Sequence, residues 1–111
     1  MANIFEEIIK GKIPCDKVFE NDRILAFRDI APQAPVHIII VPKKPIANVA
    51  HASQEDIPIL GEILYVAKEI AKKEGVIENF RLITNNGPES GQSVFHLHFH
   101  LLGGRPLGIL G

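Results

Sequence analysis

Between two proline-bearing segments lies Val36-His37-Ile38-Ile39-Ile40-Val41, in which every residue except His37 is apolar and β-branched. Such side chains pack well on a pleated surface, and a run that is apolar on both faces suits a strand covered on both sides. It reads as a buried central strand, ended by Pro42 and Pro45. The preceding segment, Asp29-Ile30-Ala31-Pro32-Gln33-Ala34-Pro35, carries two prolines and reads as a loop.

The neighbours can be placed around that strand. Lys17 to Glu20 and Ile24 to Arg28 read as a hairpin turning at Asn21-Asp22. Phe80 to Thr84 reads as a fourth strand and Ser93 to Leu102 as a fifth, ended by Gly103-Gly104. Asn3 can cap a short helix with Ile4, Phe5, Ile8 and Ile9 on one face, closed by Gly11. A second helix begins between Ser53 and Asp56. Ser53 with Asp56 resembles a capping box, but a start there buries Pro58 too deep in the helix, which favours a start at Asp56. Leu60, Ile63, Leu64, Ala67, Ile70 and Ala71 then hold the helical period up to Gly75. Helix, three strands, helix, two strands predicts an α+β fold on an antiparallel sheet, as one domain over residues 1–111 without repeat or linker.

The fifth strand carries the chemistry. In a strand, residues i, i+2 and i+4 share a face, so His96, His98 and His100 would form a row, with Phe95, Leu97, Phe99 and Leu101 on the opposite side. Two such histidines can share one zinc ion, but three span about 13 Å, so a single ion does not hold the row; a further ligand would have to come from His37 or an acid. A row of imidazoles titrating near neutrality suits nucleophilic and acid–base catalysis better. The preceding loop, Asn85 to Gln92, leads directly into it. Gly91 lets backbone amides approach an anion closely, and Gln92 and Ser93 add side-chain donors. An anion hole beside a nucleophilic imidazole fits phosphoryl or nucleotidyl transfer.

Gly91-Gln92-Ser93-Val94-Phe95-His96-Leu97-His98-Phe99-His100-Leu101-Leu102 resembles the signature of the histidine triad (HIT) superfamily, His-φ-His-φ-His-φ-φ with φ apolar. The likeness to its Hint branch, the histidine triad nucleotide-binding proteins, extends to the stretch Phe27 to His37 and to Val41-Pro42-Lys43-Lys44. The resemblance implies a five-stranded antiparallel sheet with two main helices, and a homodimer whose sheets join into one of ten strands. It implies a partner in purine nucleotides (an AMP or GMP moiety) and hydrolysis of nucleoside phosphoramidates. By the same resemblance His98 is the nucleophile at the α-phosphorus, His37 and His100 form its relay, and His96 helps hold the triad. Asn85, Gly91, Gln92 and Ser93 belong to the phosphate site and Asp29 to the ribose hydroxyls. Phe27 and Ile30 line the base pocket, helped by Ile4, Phe5 and Ile8. A dinucleoside polyphosphate hydrolase is the rival within the superfamily. A nucleotide-binding regulatory dimer with incidental turnover is the rival outside enzymology.

Some features narrow these expectations. Several Hint members carry a Cys-x-x-Cys and a later histidine that form a structural zinc site; Asn3, Glu6 and Pro45 stand there instead, so neither metal nor other cofactor is expected. Cys15 is the sole cysteine, which rules out an intrachain disulfide and reads as an ordinary thiol. His51 reads as a surface residue. A net charge of −1 gives no footprint for nucleic acid. No apolar run approaches the roughly 20 residues that span a bilayer, and the acidic start Met1 to Glu7 is unlike a signal peptide, so a cytoplasmic protein away from membranes is expected. The tail Pro106 to Gly111 departs from the Hint pattern, where the tail influences substrate choice.

Overall fold

The computed structural model describes residues 3–111. Helix α1 (Ile4–Ile9) is followed by strands β1 (Lys17–Glu20), β2 (Ile24–Arg28) and β3 (Val36–Pro42). Helix α2 (Ile57–Lys73) and strands β4 (Phe80–Ile83) and β5 (Phe99–Gly103) complete the chain. The strands form one antiparallel sheet in the order β1-β2-β3-β5-β4, which puts β3 at its centre.

Local chemistry accounts for the element ends. Asn3 Oδ1 accepts the Glu6 N–H at 2.8 Å and caps α1. Asn21 Oδ1 accepts both the Arg23 and Ile24 N–H groups and forms the β1–β2 turn. Asp56 is the N-cap residue of α2, with Pro58 in the first turn. The Ser53–Asp56 capping box closes a separate 3-10 turn over Gln54–Asp56 just before it. Both readings of that boundary therefore hold, for two different elements.

The sheet faces bury different partners. Ile24, Ala26, Ile38, Ile40 and Leu101 pack against Ile63, Val66, Ala67, Ile70 and Ala71 of α2. The larger of these, Ile63, Val66 and Ile70, contribute roughly 1.5–3 kcal/mol each by burial, whereas an exposed pair such as Arg23–Glu62 contributes about 0–1 kcal/mol. Packing rather than ion pairing therefore seats α2. Leu64, expected on this buried face, is instead exposed beside Tyr65. On the opposite face Leu25, Phe27, Ile39 and Val41 cluster with Phe5 of α1. Phe27 pairs with Ile39 and Ile39 with His100, so His100 lies on the α1 face, and so does His37, two residues before Ile39.

The fifth strand is shorter than its alternation implies. It begins at Phe99, and Ser93 to His98 run outside the sheet. Beyond the Ile40–Phe99 pair, the next stretch of β3 ends in Pro42, which has no N–H for a ladder. The Leu97 N–H turns instead to the Ile46 carbonyl at 2.7 Å. The three histidines consequently do not form a row on one strand.

Candidate active site

His98, His100, His37 and Asp29 come together where β3 and β5 meet the loops. His37 pairs across the ladder with Leu102, so His100 is its diagonal neighbour, and His37 Nε2 lies 2.9 Å from His100 Nδ1. The His98 and His100 ring centroids are 5.1 Å apart, and the Phe5 ring stands edge-on to His98 at 4.8 Å.

Hydrogen bonds assign the protons. The Gln33 N–H donates to His37 Nδ1 at 3.0 Å, so a neutral His37 carries its proton on Nε2. That proton is directed at His100 Nδ1, with Asp29 Oδ2 3.3 Å away as a second acceptor. His100 then holds its own proton on Nε2. His98 Nδ1 donates to the His96 carbonyl at 2.7 Å, which leaves the Nε2 lone pair free. Among the described residues, the buried side-chain polar atoms without a partner are Glu7 Oε2 and His96 Nδ1. The Nε2 atoms of His98 and His100 are therefore reachable from outside: a lone pair on one ring beside an N–H on the next.

Burial keeps these rings neutral. It pushes the pKa of His98 and His37 down, against the pull of Asp29. His100 is pushed down to about 4, by burial first and then by its imidazole neighbours. His96 has a different setting. It is fully buried and donates from Nε2 to the Pro42 carbonyl at 2.7 Å, which locks the segment before β5 against the end of β3. Thr84 Oγ1 adds a 2.8 Å bond to the His98 carbonyl.

The remaining expected residues divide. Asn85 lies against Gly91, whose φ of +111° needs glycine and whose added Cβ would meet Asn85 Nδ2 at 3.5 Å. Ser93 is exposed on the same turn. Gln92 is not free to bind phosphate through its side chain, contrary to expectation, because it is 3% exposed and its amide is fully engaged. Oε1 accepts from Asn48 Nδ2 and the Gly87 N–H, and Nε2 donates to the Ala47 and Val94 carbonyls. Asp29 Oδ1 accepts the Ala31 N–H at 2.8 Å to form a turn, while Oδ2 faces His37 at 3.3 Å. Phe5 and Phe27 are buried together with Ile8 packed on them, but Ile30 is wholly exposed and does not join that cluster. Ile4 is also about half exposed.

Residues 10–107 match the family model described as the HIT domain. The chain belongs to the HIT domain family. Among its relatives, the Adenylylsulfatase HINT1 of Arabidopsis thaliana is 50% identical over 94% of this chain and 72% of its own length. The 14 kDa zinc-binding protein of Zea mays is 51% identical over 94% of this chain and 83% of its own. The crystal structure of a HIT family hydrolase from Legionella pneumophila superposes with a TM-score of 0.94 at 46% identity, covering 96% of both chains.

Among the described residues of this HIT domain, Asp29, His37 and His100 offer ligand atoms within 4.8 Å of one another. A divalent ion fits them poorly. It would need the Nε2 lone pair of His37, which moves that proton to Nδ1, where the Gln33 N–H already points. Asn3 and Glu6 bond to each other at the start of α1, and neither supplies a thiolate. The Gln33 amide, Asn48 and Thr84 were invisible to motif reading: the first acts through its backbone, and the others are isolated polar residues without periodicity. A cavity of about 650 Å³ is lined by Val76, Asn79, Arg81, Arg105 and Leu107 and by none of the residues named for this site.

Proposed function

We propose that this HIT domain is a hydrolase that splits purine nucleoside phosphoramidates through a covalent nucleotidyl intermediate on His98. The observation that carries the reading is the His98 ring, its Nδ1–H held by the His96 carbonyl and its Nε2 lone pair open beside the His100 N–H. In the first step His98 Nε2 bonds to the α-phosphorus and the P–N bond breaks. The amine leaves with a proton from His100, which is charged once the phosphate is bound and is oriented by His37. The neutral His100 left behind takes a proton from the water of the second step. Water then attacks phosphorus, releases the nucleoside monophosphate and restores free His98.

The low pKa of the imidazoles fits this cycle. A neutral ring is a nucleophile at neutral pH, and the anionic phosphate arriving beside His100 supplies the negative charge that lifts its pKa toward the range of a proton donor. Gly91, Ser93 and Asn85 form the phosphate side of the site, Asp29 the ribose side and Phe5 with Phe27 the floor beneath the base. Purine recognition, with AMP or GMP as the bound moiety, and assembly as a homodimer belong to the same reading. A second substrate class is favoured by the 50% identity to a protein named adenylylsulfatase, namely adenylyl sulfate, in which sulfate replaces the amine as leaving group.

The test is AMP release from an adenosine phosphoramidate and from adenylyl sulfate, by wild type and His98→Asn, with and without chelator. Chelator-resistant turnover that falls at least about 10³-fold in the variant, with AMP binding retained, is the expected result. Tight AMP binding without wild-type turnover of either compound would make the chain a nucleotide-binding module instead.

A further inference from the structure

The crossover from β3 to α2 holds a buried polar residue outside the chemistry described so far. Asn48 is 4% exposed. Its Oδ1 accepts the His51 N–H at 3.3 Å and lies 2.7 Å from His51 Nδ1, which fixes its Nδ2 toward Gln92 Oε1 at 3.0 Å. Gln92 in turn spans the anion-binding turn from within. Its oxygen receives the Gly87 N–H at the entry of the turn, and its nitrogen reaches the Val94 carbonyl at the exit and the Ala47 carbonyl on the crossover. Rotating the Gln92 amide by half a turn would set Oε1 against two carbonyls and Nε2 against two donors.

We propose that Asn48 is the positioning residue of the phosphate site, acting through Gln92 to set where Gly91 and Ser93 present themselves to an incoming phosphate. The inference rests on the reading of that turn as the phosphate site. A well-satisfied buried asparagine can be simply structural, and two observations separate this one. The turn has no sheet to hold it, since residues 84–98 lie outside the strands and Gly87 and Gly91 have φ of +95° and +111°. Its second tie, the Ala50 N–H on Asn86 Oδ1 at 2.8 Å, comes from the same crossover. The geometry of the turn therefore depends on contacts from residues 46–50, and Asn48 provides the one that meets Gln92 side chain to side chain.

Binding of AMP and of adenosine to wild type, Asn48→Ala and Asn48→Asp separates phosphate positioning from general loosening. Asn48→Asp keeps the volume and the acceptor facing His51 while removing the donor to Gln92. Both variants are expected to bind AMP about tenfold more weakly and adenosine within about twofold of wild type. Equal losses for both ligands, or unchanged AMP affinity, would overturn the proposal. In the wild-type chain alone, the side-chain amide NMR signals of Asn48 and Gln92 should move with AMP and stay in place with adenosine; signals unmoved by AMP overturn it even if neither variant folds. If wild type binds AMP no better than adenosine, the phosphate-site reading itself fails, an outcome visible before any variant is made.

Discussion

Gln33 donates its backbone N–H to His37 Nδ1, so that ring gains a second proton only by losing this bond. His98 is constrained in the opposite sense, because the His96 carbonyl requires a proton on its Nδ1. Two backbone groups thus set which nitrogen holds the proton on each ring, and burial keeps the rings neutral. This has a consequence for stability. An unfolded histidine titrates near 6.5, whereas His100 in the fold titrates at about 4 and His37 and His98 are also depressed. Between those values the unfolded chain holds more protons, so this contribution is complete above about pH 6.5 and is lost as pH falls toward 4. The paired carboxylates Glu62 and Glu74, whose pKa values are lowered by their arginine partners, lose their contribution in a lower window, as pH falls from their unfolded pKa near 4.3. Melting temperature followed from pH 8 to 4 should therefore begin to drop below about 6.5, with a shallower drop above pH 5 in His100→Gln. A wild-type melting temperature constant from pH 7 to 5 would contradict neutral burial of the rings.

Element by element, legibility followed burial. Strand β3 was readable because its side chains are buried on both faces, and α1 because Asn3 and the apolar spacing agree on its start. The stretch before β5 was misread because alternation records only which side chains are buried. His96 and Leu97 are buried and tied by single hydrogen bonds to the Pro42 and Ile46 carbonyls, outside the ladder of the sheet. Leu64 was misread because a helical period does not distinguish the core face from a second apolar face. The histidine cluster itself was legible; its proton assignment was not, since it depends on how the flanking backbone turns to aim the Gln33 N–H at His37 and the His96 carbonyl at His98. The end of β5 illustrates the same dependence. Gly104 has φ of +97°, and a Cβ there would stand 2.9 Å from Pro35 Cβ on the loop that carries Gln33. Arg105 next to it donates to the Gln33 carbonyl at 2.8 Å. Gly104→Ala combines left-handed strain with a clash and should cost about 1–3 kcal/mol. That is a drop of at least about 4 °C in melting temperature, measurable by calorimetry, and it should lower turnover through displacement of the Gln33 amide. An unchanged melting temperature would mean that the loop yields without resistance.

At the scale of the whole molecule, the sheet ends on β4, which among the described residues pairs only with β5 and presents an open edge. An open edge invites pairing with another chain. The outer face of α2 adds Ile57, Leu64 and Tyr65, between one-half and two-thirds exposed, and Gly61, whose surroundings are empty to 4 Å. Residues 57, 61, 64, 65 and 68 fall on one side of the helix, where Lys68 covers only the Tyr65 ring. An apolar helix face with a bare glycine in its middle can receive a second helix at close range, and the unpaired β4 can continue the sheet into the same partner. A monomer gains nothing from either feature, whereas two copies related by a two-fold axis cover both at once. The chain of 12.3 kDa should therefore sediment at twice that mass, and Leu64→Glu, placing a charge in the middle of the α2 face, should shift it to the monomer. Because Leu64 lies outside the core, the variant should still fold, which circular dichroism would check. Wild type sedimenting as a monomer at concentrations well above those of an activity assay would leave the β4 edge and the α2 face without a partner from this chain, and would rule out the ten-stranded sheet.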